Sequence, residues 1–133
     1  MTTSMVADRL VELCKAGEFV QAQQELYHPD IVRIEPDGTR TTGAEKMLEQ
    51  EKRFLASLEK IHGISYSEPL VAGKYFTVVL KMEIDMKQRG HIIFEEVCVY
   101  EVVEGKVICR NPISHDDGVA SAHGTFPPPP GAS

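Results

Sequence analysis

Between Lys74 and Lys87 the chain alternates strictly, and this stretch limits the possible folds more than any other. Phe76, Val78, Leu80, Met82, Ile84 and Met86 share one parity; Tyr75, Thr77, Val79, Lys81, Glu83 and Asp85 share the other. Successive side chains of a strand point to opposite sides, so the pattern predicts a long strand in an antiparallel sheet with one face buried. Gln88-Arg89-Gly90 then turns the chain, and His91 to Val103 reads as a second long strand. Glu104-Gly105 turns it again into a last strand, Lys106 to about Asn111. Upstream, Ile64 to Val71 is extended and ends at Ala72-Gly73.

The first half has a different period. Val6, Leu10, Leu13 and Cys14 form one apolar stripe of a helix from Met5 to Lys15, with Ser4 placed to cap it. A second helix spans about Glu18 to Leu26, with Phe19, Ala22 and Leu26 inward, and Pro29 stops it. Ile31 to Glu35 is extended, and Pro36-Asp37-Gly38 is a turn. The longest helical pattern runs from Ala44 to about Lys60. Met47, Leu48, Phe54, Leu55, Leu58 and Ile61 lie near one face, and Thr42 with Glu45 fits a capping box. Three helices followed by long antiparallel strands define an α+β class.

A chain of 133 residues suits one domain, placed at 1–113. Residues 114–133, with four consecutive prolines after Phe126, read as a flexible tail; an extended proline-rich ligand for a partner domain is the alternative. The net charge of −6, without a basic block, argues against nucleic acid as a partner. Lys87, Arg89 and His91 read as a solvated hairpin turn. Cys14, Cys98 and Cys109 are odd in number and widely spaced, which argues against a disulfide framework or a zinc ribbon. The start lacks a signal-peptide pattern and no apolar run has membrane-spanning length, so no membrane partner and a cytoplasmic setting are expected. His115, Asp116, Asp117 and His123 carry ligand chemistry but lack rigid support, so no metal site and no cofactor are expected.

Four segments in order resemble a known superfamily. They are Leu13-Cys14-Lys15-Ala16-Gly17-Glu18-Phe19, Leu26-Tyr27-His28-Pro29-Asp30-Ile31-Val32, Thr42-Gly43-Ala44-Glu45-Lys46-Met47, and the hairpin from Val99 to Val107. They resemble a helix-AGD-helix junction, an "LF-acid-DV" segment, a "G-x-x-x-I" helix start and a penultimate hairpin. All belong to the nuclear-transport-factor-2-like superfamily, which includes SnoaL-like polyketide cyclases and ketosteroid isomerase. The resemblance implies a cone-shaped α+β barrel, with three N-terminal helices packed on a curved, mainly antiparallel sheet. It also implies a pocket at the open end of the cone and a homodimer through the sheet. Glu35, followed by Pro36, stands where ketosteroid isomerase has its aspartate base. Leu10 stands where that enzyme has a tyrosine, and Cys98 falls near its protonated aspartate, so the steroid reaction is not expected.

The residues themselves nominate a site. Ile92, Phe94, Glu96, Cys98, Tyr100 and Val102 share one face of the second long strand, with Glu96 in its middle. Desolvation raises the pKa of a carboxylate among apolar neighbours, which suits acid or base work near neutral pH. The alternatives are that a bulge inverts the face or that Glu96 pairs with a basic residue. Glu35 is either a base or a solvated strand end. His28 is either a proton shuttle or a residue interacting with a helix dipole. Tyr100, Tyr27, Phe94, Cys98 and Met47 are the expected ligand-binding residues. His62 is expected as a helix C-terminal cation. Two functional readings follow. One is a pocket for a small hydrophobic or carbonyl-containing molecule, with proton transfer of the isomerase, cyclase or dehydratase type by Glu96, Glu35 or His28. The other is a non-catalytic dimeric ligand-binding or interaction domain, using Val79, Val97, Val99 and Val103 on the opposite face.

Overall fold

A computed structural model describes residues 1–116. The element order is α1 (Thr3–Lys15), α2 (Phe19–Leu26), β1 (Tyr27–Ile34), β2 (Arg40–Thr42), α3 (Ala44–Ser57), β3 (Leu58–Tyr66), β4 (Leu70–Ala72), β5 (Tyr75–Met86), β6 (Gly90–Val103) and β7 (Lys106–Asp116). Seven strands form one sheet in the order β2-β1-β7-β6-β5-β3, with β4 paired to β5. Only β1 and β7 run parallel; the other pairs are antiparallel. The expected cone-shaped α+β architecture holds, with the sheet open at β2 and β3 rather than closed into a barrel.

The alternation of β5 and β6 places their faces as expected. Phe76, Val78, Met82, Ile84 and Met86 are buried on β5, and Ile92, Phe94, Glu96, Cys98, Tyr100 and Val102 on β6. The register runs from Tyr75 opposite Glu101 to Met86 opposite Gly90 without a slip. A slip of one residue would turn both apolar rows to solvent, so burial itself locks the pairing. The helices cover this face. Val6, Leu10, Leu13 and Cys14 of α1, Ala22 and Leu26 of α2 and Met47 of α3 join Phe76, Val78, Cys98 and Tyr100 in one core. Phe54 joins Met82, Ile84, Ile92 and Phe94 in a second. Phe76 stacks on Tyr100 at 4.6 Å between ring centroids, worth about 0.5–1.5 kcal/mol beyond the area both rings bury. The β6–β7 turn needs left-handed backbone at Glu104 and Gly105, with φ of 52° and 78°. A Cβ at Gly105 would also sit 3.2 Å from the Met1 backbone nitrogen.

Several local expectations are corrected. Thr2, not Ser4, caps α1, accepting from the Met5 N–H. The predicted capping box before α3 does not form: Gly43, at φ 101°, occupies the cap and no side chain bonds there. Helix α3 stops at Ser57 instead of Lys60, because Leu58 pairs with Met86 and the Lys87 N–H donates to the Ser57 carbonyl. His62 is therefore a strand residue, not a helix-terminal cation. Strand β7 continues past Asn111 because residues 111–116 pair with Phe94 to Val99. The rest of the expected tail, with Asp117, His123 and the proline run, lies outside the described residues. No described helix is long and apolar enough to cross a membrane.

Candidate functional site

One row of side chains crosses five strands on the helix-covered face. Phe76 on β5 is opposite Tyr100 on β6, Tyr100 is opposite Arg110 on β7, Arg110 is opposite Arg33 on β1, and Arg33 is opposite Thr41 on β2. Simple parity from the buried Val107 would send Arg110 outward. A bulge prevents this: Val107 pairs with Val102 while Cys109 pairs with Glu101, so β7 spends one extra residue there. The inward parity changes from odd to even, and Arg110, Pro112 and Ser114 face the interior.

Buried ions need partners, and Arg110 has them. Its Nη2 donates to Glu96 Oε1 at 2.9 Å and its Nε to Cys98 Sγ at 3.2 Å. Ser114 Oγ donates to the other oxygen of Glu96, Oε2, at 3.0 Å. Glu96 is 7% exposed, with both oxygens engaged. Burial pushes the Cys98 thiol up to about 11, against the opposing field of Arg110, so Cys98 is a buried hydrogen-bonding thiol rather than a thiolate nucleophile. Burial likewise holds Tyr27, Tyr66 and Tyr100 above the usual phenol value.

Helix α3 presents polar groups where its apolar stripe was expected to continue. Met47, Gln50 and Phe54 are its buried residues, and Glu51 lies on the same side at i+4 from Met47. Leu48 and Leu55 are half-buried. Gln50 Oε1 accepts from Arg33 Nη2 at 2.7 Å, and Thr41 Oγ1 from the same nitrogen at 3.3 Å. Gln23 Nε2 donates to Glu51 Oε1 at 3.1 Å, while Gln23 Oε1 is buried without a partner among the described residues. Burial raises the Glu51 pKa above the ordinary glutamate value; Glu96 adds to the rise, and Arg110 and Arg33 oppose it. Burial and the neighbouring Arg110 lower the Arg33 pKa.

The fold brings Glu96, Cys98, Tyr100, Tyr27 and Met47 to one interior region. Glu96 has the basic partner that its alternative reading required. Phe94 belongs to the second core. Glu35 Oε1 lies 3.0 Å from Arg33 Nε, but off-line, so the contact is ionic rather than a hydrogen bond. His28 stands apart: its Nδ1 accepts from the Asp30 N–H at 3.0 Å, two residues on in β1, not in the Glu96 network. A cleft of about 390 Å³ near the end of α3 and the β5–β6 turn includes Arg53, Ser57, Met86 and Lys87 in its wall; none of the expected site residues borders it. Sequence reasoning missed Arg110, Arg33 and Glu51. Arg110 was hidden by the bulge. Glu51 and Gln50 carried a usable signal, two polar residues at i+3 and i+4 from the buried Met47.

These features frame the comparisons with known proteins. The SnoaL-like domain family matches residues 1–112. The chain belongs to this family. A candidate SnoaL-like polyketide cyclase from Mesorhizobium loti is 25% identical, with a TM-score of 0.77 over 85% of this chain and 99% of that one. A second candidate SnoaL-like polyketide cyclase, from Jannaschia, is 11% identical at a TM-score of 0.70, covering 84% of each chain. A ketosteroid isomerase-like fold from Catenulispora acidiphila, solved with trimethylamine, is 12% identical at 0.66, over 96% of this chain and 93% of that one. The latter two support the fold alone. No curated protein sequence matches this SnoaL-like domain significantly.

Proposed function

We propose that this SnoaL-like domain holds a small hydrophobic molecule bearing a carbonyl oxygen between α3 and the inner sheet face, and that a carboxylate there moves a proton. The observation that carries the reading is the unequal treatment of two inward-facing glutamates, Glu96 buried and Glu51 half-buried. Glu96 is fully occupied by Arg110 and Ser114, which suits a positioning role: it fixes the guanidinium. Glu51 has a raised pKa and a single hydrogen bond among the described residues, which suits an acid or base working nearer neutral pH. Arg110, beside Tyr27 and Tyr100, supplies positive potential for an oxygen that gains charge as a neighbouring C–H proton leaves. The unpaired Gln23 Oε1 beside Glu51 offers an acceptor to a ligand hydroxyl. Glu35 acts through Arg33 in this reading, and His28 is left at the rim of β1.

The test uses a panel of aromatic and cyclic ketones, with binding followed by calorimetry and α-proton exchange in D2O by NMR. Glu51→Gln is expected to keep binding and to slow exchange by about 10²–10⁴-fold. Exchange at the original rate in that variant removes Glu51 from the role, and a panel without a single binder overturns the pocket. The second reading, a homodimer through the sheet, is favoured by the outer face. There Val79, Val97 and Ile113 lie side by side in register on β5, β6 and β7, at 40%, 43% and 58% exposure.

A further inference from the structure

The outer face carries a second polar constellation, independent of the interior. Asp85 lies on β5, the strand between β3 and β6. His91 on β6 is directly opposite it. His62 arrives by a different route. On β3, Ile61 pairs with Ile84 and Gly63 with Glu83, so His62 is the extra residue of a bulge, and bulges re-aim side chains. The result is a convergence from three adjacent strands. His62 Nε2 lies 2.9 Å from Asp85 Oδ2, and His91 Nδ1 lies 2.7 Å from Asp85 Oδ1. One donor atom from each of the three residues falls within 4.8 Å of the others. The two imidazole rings meet edge to face at 5.1 Å. The far nitrogen of His91, Nε2, is 2.9 Å from Glu83 Oε2.

We propose that His62 Nε2, His91 Nδ1 and an Asp85 carboxylate oxygen bind one divalent transition-metal ion of the zinc class. Two imidazoles and a carboxylate are a borderline nitrogen and oxygen set that suits zinc, and three protein ligands leave a position for water. The side chains are partly exposed, so solvent reaches that position. Glu83 supplies the outer support that such sites use: by accepting the Nε2 proton it leaves the Nδ1 lone pair of His91 for the metal. The ion takes the place of the two histidine–aspartate hydrogen bonds and ties β3 to the β5–β6 hairpin. Binding to the folded chain alone raises the unfolding temperature by mass action.

The experiment uses the full chain, free of any affinity tag and stripped with a chelator, titrated with zinc chloride. Calorimetry is expected to show one zinc per chain, accompanied by a rise in Tm. His62→Ala and His91→Ala are each expected to abolish the Tm rise, with far-UV circular dichroism unchanged because both residues are at the surface. Glu83→Gln is expected to keep the stoichiometry and weaken affinity by about 10–100-fold. Absence of both heat and Tm rise in the original chain overturns the proposal. So does zinc uptake undiminished in the His62→Ala/His91→Ala double variant, which would place the metal on other groups such as the cysteines.

Discussion

The two faces of the β5–β6–β7 sheet use the same strands for opposite purposes. On the inner face the row Phe76, Tyr100, Arg110 and Arg33 mixes large apolar groups with buried ions, each ion held by specific partners. On the outer face the row Val79, Val97 and Ile113 is apolar and half open, and the polar cluster of His62, Asp85 and His91 is reached by water. The difference teaches that exposure decides what a charge is worth. An ion pair taken out of water depends on complete pairing, whereas the same pair at the surface contributes little to stability.

The largest expected effect lies on the inner face. Arg110→Ala leaves Glu96 buried without its cation and is expected to destabilise the domain by about 3–5 kcal/mol, read by urea unfolding. A loss below about 1 kcal/mol, the surface-pair range, would erase the contrast between the faces. Next is the pH dependence of Glu51. Its folded pKa is raised, so the folded chain holds that proton to higher pH than the unfolded one. Stability therefore falls as pH rises above the ordinary glutamate value of 4.5, and the fall ends once pH passes the folded pKa. Glu51→Gln is expected to remove this contribution, which denaturant midpoints collected between about pH 4 and 7 would show. An identical pH profile in the variant would mean that Glu51 is solvated. The smallest effect on folding is expected from Val97→Lys, about 0.5 kcal/mol or less, because Val97 is 43% exposed. On the proposed homodimer reading its effect on assembly is expected to be large: light scattering should report a shift toward monomer, and an unchanged mass would count against the sheet as a dimer surface.

Much of the scaffold was legible because alternation is a local signal that burial then enforces. The strands of β5 and β6, the inward parity of Glu96, Cys98 and Tyr100, and the stripe of α1 could each be read from a few neighbouring residues. The site was legible only in part. Glu96 was visible as a polar residue on an apolar face, but its partner Arg110 lay beyond a bulge that reverses parity. Glu51 was passed over because the apolar residues Leu48 and Leu55 suggested a different inward face for α3. Packing turned Gln50 toward Arg33 and Glu51 toward Gln23.

The sequence by itself determined most element types, the antiparallel hairpins and which side of β5 and β6 meets the helices. Those features rest on side-chain periodicity and on turn residues such as Gly90 and Gly105, which act over a few positions. Only the tertiary structure decided that the inner row sets Arg110 beside Arg33, and that His62 reaches Asp85 instead of ending a helix. Both outcomes depend on single extra residues in β7 and β3. A bulge is settled by how two distant strands best pair and pack, and a pattern read along one strand does not contain that information.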